Sequence, residues 1–239
     1  MADPRRNRPR SVAGAFLDDL LSGQIADWQA EQGIDELTVT DLGGGTGTFA
    51  ITLAEAGHRV TVIDPSLDAL ASLQRRTSER GLTDRLCGMQ GDASELVSMI
   101  GAGSTDVMVC HRTLEVIDDP RTALAAMAEV VRPGGVLSVV IPQRRAVVLS
   151  QALQGHIDAA LQALDDPSRF DLEQVAELIE EVGFSVQDIS GIGTLASHVP
   201  PAVEEQPGIS ERLYALETRV SRDRAFRAIA PWAHIFARR

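Results

Sequence analysis

The stretch "TVTDLGGGTGTFAITLAEAGHRVTVID", residues 38–64, constrains this chain more than any other. A β-branched run leads into three adjacent glycines, Gly43, Gly44 and Gly45; a helical pattern follows, and a second apolar run ends on Asp64. Glycines in succession cost stability unless the backbone must turn sharply or approach something closely. Between a strand and a helix, such a turn points the free N–H groups of the helix start into the crevice where α/β sheets hold nucleotides.

The same alternation runs along the rest of the chain. The patterning predicts helices over 11–32, 46–56, 66–80, 93–100, 120–132, 147–164, 172–182 and 209–228. Strands are predicted over 37–41, 59–63, 85–90, 105–111, 135–141, 184–190 and 231–237. This is an α/β fold, a parallel sheet covered by helices on both faces. Pro120 after Asp119 marks one helix start and "RPGG" at 132–135 its stop; Asp171 with Gln174 has the form of a capping box. Residues 191–208 read as a long loop, a common place for function. A length of 239 residues suits a single domain over 1–239, with an N-terminal helical extension at 1–36 and a helical insert near the site at 143–170.

Composition narrows the classes. With 44% hydrophobic and 23% charged residues the chain is globular, and no apolar run reaches the ~18 residues of a membrane span. The start, "MADPRRNRPR", is basic with no apolar stretch behind it, so it is not a secretory signal. Cys87 and Cys110 lie in strand-like runs without metal-ligand spacing, which argues against a disulfide framework or a metal site and for a cytoplasmic protein. A net charge of −12 opposes general nucleic-acid affinity. The ends are nonetheless basic: Arg5, Arg6, Arg8 and Arg10 at one, seven arginines within 211–239 at the other.

Two ligands compete for the glycine loop. Gly45 to Ala50 fits G-x-G-x-x-A, the dinucleotide fingerprint. The overlapping Asp41-x-Gly43-x-Gly45-x-Gly47 resembles the motif of class I methyltransferases that use S-adenosylmethionine (SAM). Asp41 would repel a pyrophosphate, whereas it suits the cationic amino group of SAM. Asp64, at a strand end, can accept from both ribose hydroxyls of either ligand. "QGDASEL" at 90–96 separates the two: in class I methyltransferases the residue at Asp92 accepts from the adenine amino group and Ala93 offers a backbone N–H to the ring. A reductase would also need a group such as a Tyr-x-x-x-Lys pair, and the chain has no lysine. A SAM-binding module without catalysis is the third reading.

"MVCHRTLEVIDDP" at 108–120, "VRPGGVL" at 131–137 and "LYALETRVSRDRAFRAIAPWAHIFARR" at 213–239 narrow the likeness. From about residue 37 to the C-terminus the chain resembles the tRNA 5-carboxymethoxyuridine methyltransferase family and its unassigned relatives. That resemblance implies a Rossmann-like class I methyltransferase fold, a seven-stranded, mostly parallel sheet with an antiparallel last strand. It implies SAM as cofactor, with Gly43, Gly44, Asp64, Asp92, Ala93, Ser94 and His111 at matching positions, and no metal. His111 would end the fourth strand beside the sulfonium, as a polar contact or a catalytic base, and Glu115 would orient the loop. An N-terminal arginine, for which Arg10 is the candidate, would meet the SAM carboxylate. By the family fold Arg227 and Ala228 would approach the active face, with Arg219, Arg222 and Arg224 nearby.

The departures bear on the acceptor. Where the family reads "G-V-R-V-F-H-D", this chain has "GIGTLASH" at 191–198, so an arginine becomes Gly193 and an aromatic becomes Leu195. Aromatic residues total 4%, few for stacking a flipped base. Gln143, Arg144 and Arg145 follow the fifth strand, where the two arginines can clamp an acidic substrate. The expected activity is therefore methyl transfer from SAM to an acidic or oxygen acceptor, a small-molecule carboxylate or hydroxyl, with the wobble-uridine carboxyl of tRNA as the alternative. An ionised carboxylate needs no base; a hydroxyl, phenol or amine would call on His111.

Overall fold

A computed structural model of the chain describes residues 11–166 and 169–239. Arg10 lies outside the described residues, as do Arg5, Arg6 and Arg8. Among the described residues seven strands form one sheet: β1 (Thr38–Leu42), β2 (Arg59–Asp64), β3 (Leu86–Gln90), β4 (Thr105–His111), β5 (Val131–Pro142), β6 (Ser185–Ile192) and β7 (Trp232–Arg238). Their order is β3-β2-β1-β4-β5-β7-β6. Neighbours from β3 through to β5 are parallel, and β7 is antiparallel to both β5 and β6. The predicted Rossmann-like sheet and its antiparallel last strand are both present. The chain runs outward from β1 to β3 and then returns to the other side of β1 as β4, so the strand order reverses between β1 and β4. At that reversal the loops after the two strands diverge and leave a crevice.

The helices are α1 (Val12–Gln32), α2 (Thr48–Glu55), α3 (Leu67–Glu79), α4 (Leu96–Ile100), α5 (Pro120–Val130), α6 (Arg144–Leu153), α7 (Ile157–Asp165), α8 (Leu172–Glu181), α9 (Pro201–Glu204), α10 (Ile209–Val220) and α11 (Arg224–Arg227). None of these is long and apolar enough to cross a membrane. Alternation along the strands divides the core in two. Val107 and Val109 of β4 face Leu21, Ile25 and Trp28 of α1 and Phe49 and Leu53 of α2. Met108 and Cys110 face Leu96 of α4, Leu124 and Met127 of α5 and Val175 and Ile179 of α8. Both layers are needed because a parallel sheet is apolar on both sides.

Several expected boundaries move. The helix predicted over 147–164 is two helices, because Gly155 takes φ 78 and ends α6; α7 then folds back against it. The helix predicted over 209–228 breaks at Ser221–Asp223, where the Asp223 side chain accepts from Ala225 and Phe226 N–H and starts α11. The helix after Asp92 begins only at Leu96, and α2 at Thr48. β5 starts four residues early: Val131 pairs Thr105, and a register shift within "RPGG" absorbs the turn. The Asp119 N-cap with Pro120 and the capping box of Asp171 and Gln174 are as expected.

Candidate SAM site at the strand-order reversal

The glycine loop is shaped by the two acids that flank it. Gly43 follows β1 at φ 71 and donates its N–H to the carbonyl of Ile63 over 2.7 Å, which ties the loop to the end of β2. A Cβ there would collide with Thr113 Oγ1, and a Cβ on Gly44 would collide with the carboxylate of Asp41. Gly43 is thus required for contact and for conformation, and Gly44 for contact alone. Asp41 is 4% exposed beneath the loop. Burial, with the nearby Asp64 carboxylate adding to it, pushes its pKa up to about 7. A cation arriving over this loop would favour the ionised form of Asp41.

Asp64 closes β2 as a bracket. Its Oδ2 accepts from Gly45 N–H at 2.9 Å and its Oδ1 from Ser66 N–H at 2.8 Å. Each oxygen retains a lone pair, enough for a pair of vicinal hydroxyls. Asp92, after β3, makes a tight turn: Oδ1 accepts from Ser94 N–H at 2.8 Å and Ser94 Oγ–H at 2.6 Å. Those two bonds hold its carboxyl below the usual range. Gly43, Pro65, Asp92, Ala93, Ser94 and Thr113 line one cavity of about 450 Å³, closed on the far side by the start of α5. The structure therefore gathers the glycine loop, Asp92, Ala93 and Ser94 around one space, with Asp64 at its loop.

His111 ends β4 with its Nε2 2.9 Å from Ser138 Oγ, which lies 2.9 Å from Nε2 of His234. Ser138 and His234 are wholly buried, on β5 and β7. Burial depresses both imidazoles, His111 well below its ordinary value and His234 to about 4, so both rings are neutral near pH 7. The His111 ring also stands 5.6 Å, centroid to centroid, from Phe49. Arg112 follows at φ 54, the one non-glycine with positive φ among the described residues. Its N–H bonds the carbonyl of Val140 at 2.8 Å, and its guanidinium lies 5.5 Å over the ring of Trp232, at the start of β7. Backbone strain of this kind persists only where the surroundings enforce it, and here it sets an exposed cation beside His111.

The other expected cations are engaged. Arg144 donates to the carbonyl of Arg169 at 2.9 Å and stands 3.4 Å from Asp171. Arg145 pairs with Glu173 at 3.4 Å. Arg145 thereby ties α6 to the start of α8, while Arg144, which also reaches the carbonyl of Leu164 in α7, lines a cavity of about 160 Å³ with Glu115, Gln143 and Phe170. One oxygen of Glu115 is buried there without a hydrogen bond, and burial raises its pKa. Arg222, expected near the pocket mouth, instead grips Asp188 at 2.8 and 3.2 Å in the middle of β6, because α10 ends before it and turns it onto that strand. The carbonyl of Arg227 accepts from Gln143 Nε2 at 2.7 Å, so the backbone there does reach the end of β5.

The loop after β6 has its own anchor. Glu217, in the "LETR" segment, is wholly buried and accepts from the N–H groups of Thr194, Leu195 and Ala196 at 3.1, 2.6 and 2.6 Å. Gly193 there takes φ 73, and a Cβ would stand 2.5 Å from Ser197 Oγ, which accounts for glycine where the resembled family carries arginine. Ser138, His234, Arg112, Trp232 and Glu217 went unremarked in the sequence. The C-terminal segments "LETR" at 216–219 and "HIFAR" at 234–238 hint at Glu217 and His234, polar residues inside otherwise apolar or helical runs; nothing in the sequence pattern points to the other three.

Residues 40–139 match the family model described as a methyltransferase domain. Over 98% of its length the chain is 28% identical to the tRNA 5-carboxymethoxyuridine methyltransferase of Escherichia coli K12, covering 92% of that protein. It is 30% identical to the ubiquinone biosynthesis O-methyltransferase of Caulobacter vibrioides, over 54% of this chain and 50% of that one. Its fold is similar to an S-adenosylmethionine-dependent methyltransferase of Mesorhizobium loti, with a TM-score of 0.60 at 16% identity, covering 85% of this chain and 91% of the other.

Proposed function

Starting from a chain that is a class I SAM-dependent methyltransferase, we propose that it methylates an oxygen acceptor that is already anionic, a carboxylate in particular. The observation that carries this reading is Arg112. It is exposed, set beside His111 and stacked on Trp232, with no carboxylate in ion-pairing distance among the described residues. Arg144, Arg145 and Arg222, by contrast, each have an acid. An anion beside Arg112 gains a charge-assisted, bidentate contact at the carboxyl edge of the sheet.

The residues present suit SAM. Gly43 and Gly44 leave the backbone bare where a Cβ would collide, Asp64 offers two lone pairs to the ribose, and Asp92, Ala93 and Ser94 line the adenine end. Asp41 and Gly45 support the loop from below, and His111 stands at the methionine end. Bound there, SAM supplies a methyl carbon activated by its sulfonium charge. To an ionised acceptor oxygen it would give up that methyl group with the C–S electron pair left on sulfur, and no residue of this chain would have to move a proton. Orientation in a small, partly closed site then supplies most of the acceleration. Arg144 and Arg145 enter as a second contact only for an acceptor long enough to displace Asp171 and Glu173 from them.

Two acceptors fit this chemistry. One is a small-molecule acid; the other, supported by the likeness along 98% of the chain, is the carboxyl of 5-carboxymethoxyuridine in tRNA. The net charge of −12 and Gly193 in place of arginine favour the first. Either reaction would run in the cytoplasm. The deciding experiment is mass spectrometry for the gain of one methyl group, on tRNA nucleosides and on small acids, from cells with and without the protein. A methyl gain that appears on nitrogen or carbon alone would refute the reading.

A further inference from the structure

Three polar side chains in a row across the sheet demand an explanation. Ser138 and His234 sit beside the buried Val136, Val140 and Phe236 of the same two strands, and buried polar atoms are costly unless paired. The row connects to the site at His111 alone.

The buried Ser138 hydroxyl has no hydrogen-bond partner among the described residues other than the two Nε2 atoms, each 2.9 Å away, and accepting from both would leave its own proton buried without an acceptor; it therefore donates to one ring and accepts from the other. One of the two Nε2 atoms therefore carries a proton and the other does not. The far atom, Nδ1 of His234, decides which. It is buried and has no hydrogen-bond partner. A proton there would be a buried N–H with no acceptor, among the rarest unsatisfied groups in folded proteins. His234 thus carries its proton on Nε2 and donates to Ser138; Ser138 donates to Nε2 of His111; and His111 carries its proton on Nδ1. That last atom makes no hydrogen bond to any described residue.

We infer that the buried chain from His234 through Ser138 locks His111 in the tautomer with N–H at Nδ1, so that His111 offers the site a hydrogen-bond donor and not a base. Ser138 and His234 are then positioning residues that act through His111. The inference rests on the reading above for its consequence, and sharpens it: a site without a base accepts only an oxygen that is already ionised. An Nδ1–H aimed at such an oxygen, or at the carboxylate of SAM, is a neutral donor next to the cationic Arg112. The charged groups that bear on the pair are Arg112 beside His111, and Asp188 and Arg222 beside His234. None supplies an acceptor to Nδ1 of His234.

The test is ¹⁵N-histidine labelling of the whole chain and long-range proton–nitrogen spectra, with His111 assigned by its loss in His111→Gln. The expected spectrum shows a pyrrole-type Nδ1 and pyridine-type Nε2 for His111, and the reverse for His234. A pyrrole-type Nε2 on His111, or an even mixture, would overturn the inference. Ser138→Ala should release His111 into a mixture and raise KM for the acceptor roughly fivefold, the worth of one hydrogen bond, while Ser138→Thr keeps the lock. The spectra need no acceptor, so absence of methyl transfer would count against the proposed function and leave the tautomer result standing. Conversely, a turnover whose rise with pH disappears in His111→Gln would show a base at work and contradict the lock.

Discussion

Gly45 donates its backbone N–H to Oδ2 of Asp64 over 2.9 Å, so the acid that ends β2 also shapes the loop that follows β1. In the proposed site, ribose contact and loop geometry are therefore coupled through one carboxylate. Asp64→Ala removes the acceptors for two ribose hydroxyls and should weaken binding of SAM and of its demethylated product by about 2–3 kcal/mol, from roughly 1–1.5 per bond. Calorimetric titration checks this. Equal affinity in the variant would remove Asp64 from the site; tight NAD binding without SAM binding in the parent chain would overturn the choice of cofactor.

Asp41 is expected to make SAM affinity depend on pH. Its pKa in the ligand-free fold is about 7, above the ordinary carboxylate value, because burial and Asp64 disfavour the charge. The unfolded chain ionises first, so this group's contribution to stability is full below the ordinary value and is lost as pH rises to about 7. A bound cation lowers the raised pKa, so binding expels a proton and tightens as pH rises through about 7. Titration in buffers of different ionisation enthalpy should show that proton release, and Asp41→Asn should abolish it.

Gly44→Ala should hurt binding more than folding. The added methyl collides with Asp41 and shifts the loop that meets the ligand. We expect at least a tenfold loss of SAM affinity, about 1.4 kcal/mol, with a smaller change in thermal midpoint than Glu217→Ala produces. Unchanged affinity would mean that the loop yields without consequence.

Glu217 holds three N–H groups with one buried carboxylate. Glu217→Ala strands them and should cost about 3–5 kcal/mol of stability, read by urea unfolding. Glu217→Gln keeps the oxygen that serves Leu195 and Ala196 and should fall between.

Arg112 and Arg222 separate two sources of positive charge. Arg112→Gln should raise KM for an acidic acceptor with little change in thermal midpoint. Arg222→Gln should loosen the Asp188 pair while leaving KM in place. If the acceptor is tRNA, log affinity should fall steeply with log salt; with a small acid the slope should be shallow. An Arg112→Gln variant with parental KM would take the cation out of acceptor recognition.

The glycine loop, Asp64 and the turn at Asp92 were legible because each is a local pattern: a turn residue or acid at the end of a strand. The α6–α7 break is not visible in the sequence because one glycine inside an otherwise periodic run does not announce φ 78. The His111–Ser138–His234 row was illegible for a different reason. Its members lie 27 and 96 residues apart and meet only when β7 enters the sheet antiparallel beside β5. Arg222 looked like part of a basic tail because its partner, Asp188, is 34 residues away on a neighbouring strand.

The central claim, methyl transfer to a carboxylate oxygen, is most directly tested by the alkali lability of the product. The purified chain is incubated with methyl-labelled SAM and, in parallel, with fractionated small acids and with tRNA containing carboxymethoxyuridine. The account predicts label in a product that mild alkali releases as methanol, the behaviour of a methyl ester, and predicts that Arg112→Gln lowers its rate of formation. Label that survives alkali, as an ether or an N-methyl or C-methyl group would, contradicts it.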